Sequence, residues 1–197
     1  MSDPHADPHA ATAEAFETAK LGVWTFLATE VLLFGALFTA YAVFRSEYPD
    51  LFREEHFKLD RTLGLANTIV LITSSLTVVL GVDAIRKGNV RLLRIFYGAT
   101  IGLALVFLCV KYVEWSAEFA HGRFPDTNLF FSLYFTMTGL HGIHVLLGIA
   151  VLTYVVILAG RGRLSESYTT PAEMAGLYWH FVDLVWIYLL PMLYLIG

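Results

Sequence analysis

One cysteine, Cys109, stands in 197 residues, so the chain can form no internal disulfide and no cysteine-based metal cage. Charge is scarce as well, at 15% Asp, Glu, Lys and Arg against 57% hydrophobic residues. A soluble chain would carry about 25% charged residues. The first 20 residues lack the basic start and apolar core of a secretory signal, and they lack the arginines of a transit peptide. They are polar and acidic, with "DPHADPHA" as a short tandem repeat, and they read as a flexible tail over residues 1–20. His5 and His9 in it make a poor metal site, because both would be mobile.

What the chain has in excess is long apolar runs. They cover roughly 21–44, 65–85, 95–115, 129–159 and 174–196. Each is close to or above the roughly 20 residues that cross a bilayer. The expected fold is all-α: a polytopic membrane protein with a five-helix transmembrane domain over residues 21–197. Pro49, Pro125 and Pro171 fall in the polar connectors, where helices stop. Lys20, Arg86, Lys87, Arg91, Arg94, Arg161 and Arg163 lie on one side, against Arg45, Arg53, Lys58, Arg61 and Arg123 on the other. The connector "RKGNVRLLR" carries four positives and no acid, which places the N-terminus in the cytoplasm and the C-terminus outside. Arg86, Lys87, Arg91 and Arg94 are then expected at anionic lipid headgroups. Trp24, Tyr48, Trp115 and Tyr194, at span ends, fit an interfacial belt.

Small or weakly polar faces, "NTIVLITSS", "GATIG" and "TMTG", read as helix-packing surfaces. No matched pair of broken helices points to a transporter.

The functional question lies in the ionisable residues inside these runs. "GLHGIHVLLG" holds His141 and His144, "YWHFVDLVW" holds His180 and Asp183, and the first span holds Glu30. Such groups are costly in lipid and are functional-site hypotheses by default. A di-iron carboxylate site needs two Glu-x-x-His units. Glu118 with His121 supplies one, and no second exists. A bis-histidine haem needs two imidazoles from different helices at one depth. At about 1.5 Å per residue, His180 lies about 6 Å inside the fifth span and His144 about 21 Å inside the fourth. His141 and His144 share one helix face and cannot be the two axial ligands of one haem. Glu30, at about 12 Å, matches Asp183, at about 10 Å, with His180 beside it. The expected buried polar set is therefore Glu30, His180 and Asp183, acting as a hydrogen-bonded lock between helices or as a proton path. No metal ligand set emerges.

These motifs are recognisable together. "LYWHFVDLVWIYLLPMLYLIG" resembles the final helix of subunit III of the haem–copper terminal oxidases. "FTMTGLHGIHVLLGIAVL" resembles the helix before it, and "ATEVLLFGALFTAY" the helix that carries the family's intramembrane glutamate, here Glu30. "LANTIVLITSS" and "KYVEWSAEF" are similar to further segments in the same order. The resemblance, to the cytochrome c oxidase subunit III family in its short five-helix bacterial form, implies an accessory subunit without catalytic residues. It implies haem and copper in partner subunits and none in this chain. The implied partners are subunit I as main contact, subunit II and phospholipids, and the oxidase itself can join a respiratory supercomplex. It further implies stabilisation of subunit I, support of its proton uptake and a place in the bacterial inner membrane. His141 and His144 would then hydrogen-bond within the bundle or to subunit I. The longer members have two additional helices and hold lipid in the cleft those helices create. Quinol oxidases and nitric-oxide-reductase-associated relatives share the short form. A self-standing haem-binding membrane protein is the competing class.

Overall fold

The computed structural model describes residues 8–196, with side chains from residue 20 onward and that of Thr18. It consists of α1 (Pro8–Glu47), α2 (Pro49–His56), α3 (Arg61–Arg86), α4 (Val90–Ala120), α5 (Leu129–Gly160) and α6 (Thr170–Leu190), closed by a π-helical turn (Pro191–Leu195). All but α2 are long and apolar enough to cross a membrane. The starts are chemically marked. Asp60 accepts from the Thr62 and Leu63 amides, Asn89 from Leu92 and Asn128 from Phe131, so each caps a helix. Pro49 and Pro171 occupy first-turn positions, where the missing N–H costs nothing.

α1 begins at Pro8, where the sequence suggested a tail as far as residue 20. The alanines and glutamates of that stretch are good helix formers, and they carry the helix past its apolar part. His5 and the side chain of His9 lie outside the described residues.

α3, α4, α5 and α6 form the bundle, and α1 packs along α5 and α6. In lipid there is no hydrophobic drive between helices, so close approach and polar contacts hold them. α3 supplies most of both. Thr77 and Thr100 hydroxyls bond across to α4 at 2.7 Å, and Asn67 Nδ2 donates to the Phe107 carbonyl at 3.3 Å. Towards α6, Trp179 Nε1–H donates to Ser74 Oγ and Trp186 Nε1–H to Thr68 Oγ1, both at 3.0 Å. "GATIG" behaves differently from the expectation: Thr100 is buried, but a Cβ on Gly98 or Gly102 would meet nothing within this chain.

At Gly148, α5 leaves no room for a side chain against α6. A Cβ there would lie 2.7 Å from Trp179 Cε3 and Cζ3, a ring pinned by its bond to Ser74. Gly148→Ala should therefore cost about 1–3 kcal/mol by overpacking. Gly142→Ala, which meets nothing within 4 Å, should gain up to about 1 kcal/mol of helix propensity. Unfolding midpoints in a detergent titration check the pair, and a Gly148→Ala protein as stable as the parent refutes the close-approach argument.

Candidate functional site

Five helices contribute polar side chains to the interior of the bundle, and they sort into three groups. The first joins α1 to α5. Glu30 Oε2 lies 2.8 Å from His144 Nε2, and His144 Nδ1–H donates to the Leu140 carbonyl at 2.8 Å. A carbonyl only accepts, so Nδ1 carries a proton. The Nε2···Oε2 bond then holds one further proton, which can sit on either partner without a heavy atom moving. The pair is an ion pair in one state and a neutral acid–base pair in the other. Tyr178 OH donates to the His144 carbonyl at 3.1 Å, and the Phe34 ring stands edge-on to the imidazole at 5.2 Å. The site is thus fixed from α1, α5 and α6.

The second group joins α3 to α6. His180 Nδ1 and Ser75 Oγ are 2.6 Å apart. Asp183, one turn further along α6, is buried, and neither of its oxygens has a hydrogen-bond partner among the described residues.

The third group is the most densely bonded. Lys111 on α4 spends its three N–H donors on Glu114 Oε2 (3.1 Å), Tyr134 OH (3.2 Å) and Tyr194 OH (2.9 Å). Both phenols in turn donate to Glu114 Oε1, Tyr134 at 2.6 Å. Every donor of the ammonium is used, and the carboxylate is bonded on both oxygens. The Trp186 ring lies under the ammonium at 5.4 Å, a cation–π contact. The cage ties α4, α5 and the closing π-turn together. No group of three or more His, Cys, Asp or Glu side chains that could hold a metal forms among the described residues.

Residues 7–197 match the family model for cytochrome c oxidase subunit III. The chain belongs to the cytochrome c oxidase subunit III family. A cytochrome c oxidase subunit 3 from Thermostichus vulcanus is 36% identical over 177 residues, covering 89% of this chain and 86% of that one. A heme-copper oxidase subunit I+III from Aeropyrum pernix is 32% identical over 183 residues, 90% of this chain but 22% of that much longer protein. A cytochrome bo(3) ubiquinol oxidase subunit 3 from Buchnera aphidicola is 30% identical over 183 residues, 92% of this chain and 88% of its own length. The family spans both donor types.

Within this subunit III fold, the expected set of Glu30, His180 and Asp183 does not assemble as one. Glu30 takes His144, and His180 takes Ser75. Depth counted from the ends of apolar runs misplaces His144, because those ends are not the membrane edges. α5 is 32 residues long, about 48 Å at 1.5 Å per residue, against a hydrocarbon core of about 30 Å. Its end is no marker of the membrane edge. α6 also starts at Thr170, four residues before the apolar run over 174–196 begins. The length of α5 hides the common height of His144 and Glu30, and the earlier start of α6 sets His180 and Asp183 deeper along their helix than a count from the apolar run gives.

His141 differs from His144, which bonds within the bundle. It is 1% exposed, and neither ring nitrogen has a partner among the described residues. It packs between the Phe107 and Trp186 rings at 5.5 and 5.3 Å. The basic connector is partly engaged within the chain: Arg86 Nε–H donates to Glu173 at 2.9 Å and Lys87 Nζ to Asp83 at 2.6 Å. Arg91 and Arg94 form no such pair among the described residues. Of the expected belt, Trp24 and Tyr48 are exposed, whereas Tyr194 is wholly buried in the lysine cage. Glu118 bonds Arg123 at 2.7 Å, and His121 turns to the Ala117 carbonyl.

Proposed function

We propose that this chain is the accessory, non-catalytic subunit III of a bacterial haem–copper terminal oxidase that uses cytochrome c. Its partners are subunit I as main contact, subunit II and phospholipids, and a respiratory supercomplex is the wider setting. In this reading haem and copper belong to the partner subunits, and the chain stabilises subunit I and sustains its proton uptake from the cytoplasm. The N-terminus is cytoplasmic, in keeping with the seven positive charges on that side against five on the other. The membrane is the bacterial inner membrane.

The observation that carries the reading is the family match along nearly the whole chain, joined to a part-buried Glu30–His144 pair able to hold one proton on either side. The Aeropyrum relative, whose name joins subunits I and III in one protein, supports subunit I as the neighbour. The Buchnera relative favours one second reading, a quinol oxidase subunit III.

Purification of the tagged chain from its native membrane tests the assignment. Oxidase subunits I and II are expected with it, with haem and copper on those partners and turnover with reduced cytochrome c. Turnover with quinol alone selects the second reading. A Soret band retained at one haem per isolated chain refutes both. Glu30→Gln should leave assembly intact and shorten the period of sustained turnover several-fold. Unchanged sustained turnover would reduce Glu30 to a packing role.

A further inference from the structure

α1 leaves the apolar zone at Arg45–Glu47, and the chain turns at once into α2. Phe52 fixes α2 against the bundle, edge-on to Tyr41 at 5.2 Å and to Phe130 at 5.5 Å. His56 fixes its far end: Nδ1–H faces the Phe52 and Arg53 carbonyls, and Nε2 accepts from Arg61 at 3.2 Å. Between α1, α2 and the C-terminal π-turn this leaves an open groove of about 740 Å³. That is within the roughly 300–1,000 Å³ typical of small-ligand sites.

The lining is sharply divided. Met192, Leu195, Ile196 and Phe57 form an apolar floor, while Arg45 and Arg53 provide the charge, and no Asp or Glu lines the groove. Arg45 donates to the Ile196 carbonyl, which holds its guanidinium at the mouth with further N–H groups to spare. Arg53 is exposed and has no ion-pair partner among the described residues. Arg86 and Lys87, at the opposite membrane edge, are by contrast already paired with acids. Phe57 in the lining is exposed, as is Tyr48, the residue before Pro49 of the lining, in keeping with aromatic side chains at headgroup level.

We propose that this groove binds an anionic phospholipid, its phosphodiester held by Arg45 and Arg53 and its acyl chains running over Leu195 and Ile196. Guanidinium forks match phosphate oxygens in pairs. The apolar floor is the reason to name an amphiphile, since a free phosphate ion gains nothing from it. All three walls are elements of this chain, so the site is separate from the lipid cleft that longer family members create with two extra helices.

The test uses the intact oxidase complex in nanodiscs of phosphatidylcholine containing a minor fraction of phosphatidylglycerol. Lipids retained after transfer to detergent are counted by native mass spectrometry. Phosphatidylglycerol should be retained on this chain over phosphatidylcholine. Arg53→Gln should lower that retention about fivefold, the worth of one arginine beside an anionic lipid. Arg53→Glu should lower it further, and Arg163→Gln, at the other membrane edge and outside the headgroup cluster, should leave it unchanged. Equal retention of the two lipids overturns the proposal, as does unchanged retention in Arg53→Gln or an equal loss in Arg163→Gln. Displacement by millimolar inorganic phosphate overturns it in favour of a simple anion site.

Discussion

Glu114→Ala is expected to destabilise the chain by about 3–5 kcal/mol, the usual cost of removing one partner from a buried ion pair. The cause is what stays behind. Lys111 has a side chain only 9% exposed, and without Glu114 its charge faces two phenols that have lost their own acceptor. Three interactions are lost and one buried cation is left uncompensated. The companion experiment removes both charges. Lys111→Met with Glu114→Leu takes away the desolvated ions and keeps apolar volume, so most of the stability should return. Unfolding of the parent, Lys111→Met, Glu114→Leu and the double variant, followed by tryptophan fluorescence in a detergent titration, reads the coupling directly. A loss below about 1 kcal/mol in Glu114→Ala, the range of exposed pairs, would mean that water reaches the cage.

Trp186→Ala should have the second-largest effect, about 2–4 kcal/mol. In a soluble protein this change costs about 3–5 kcal/mol, part of it transfer of the side chain from water. Here the unfolded helices remain in lipid, so the transfer part largely disappears. The cavity part stays, at about 24 cal/mol per Å³. The ring touches too much to be replaced by a small relaxation: Phe107 meets it edge-on at 4.8 Å, His141 lies at 5.3 Å, Lys111 sits over it, and Thr68 accepts its N–H. Loss of the ring also removes the neighbour that shields His141. Trp186→Phe should recover about half of the loss. A Trp186→Ala chain with an unchanged unfolding midpoint would show that the four-helix core collapses freely around the gap.

Hydropathy alone located the spans. Length and run composition are properties of single segments, and α3 to α6 start and end within a few residues of the apolar boundaries. The pairing of polar groups is a property of two segments, and there the sequence was less informative. Glu30 and His144 are 114 positions apart, and their meeting depends on the relative heights of α1 and α5. A helix much longer than the bilayer is thick hides its height from any count made from its ends. The lysine cage was half visible. Lys111 and Glu114 stand at the i, i+3 spacing that joins side chains on one helix face. Tyr134 and Tyr194 were not, because a tyrosine near the end of an apolar run reads equally well as an interfacial anchor. α2 went unseen for a similar reason: eight residues with five charged or titratable side chains look like a connector until Phe52 is found in the core.

α1 touches the bundle through Leu27, Phe34 and Tyr41, seven residues apart, the period of a coiled-coil seam. To that stripe it adds single hydrogen bonds from Glu30, Tyr41 and Arg45. Most of its remaining surface faces outward. α1 is therefore a detachable latch on a self-contained four-helix body. It is the natural point at which the subunit comes apart, and rupture of this seam alone breaks the acid–base pair at Glu30 while leaving the lysine cage whole.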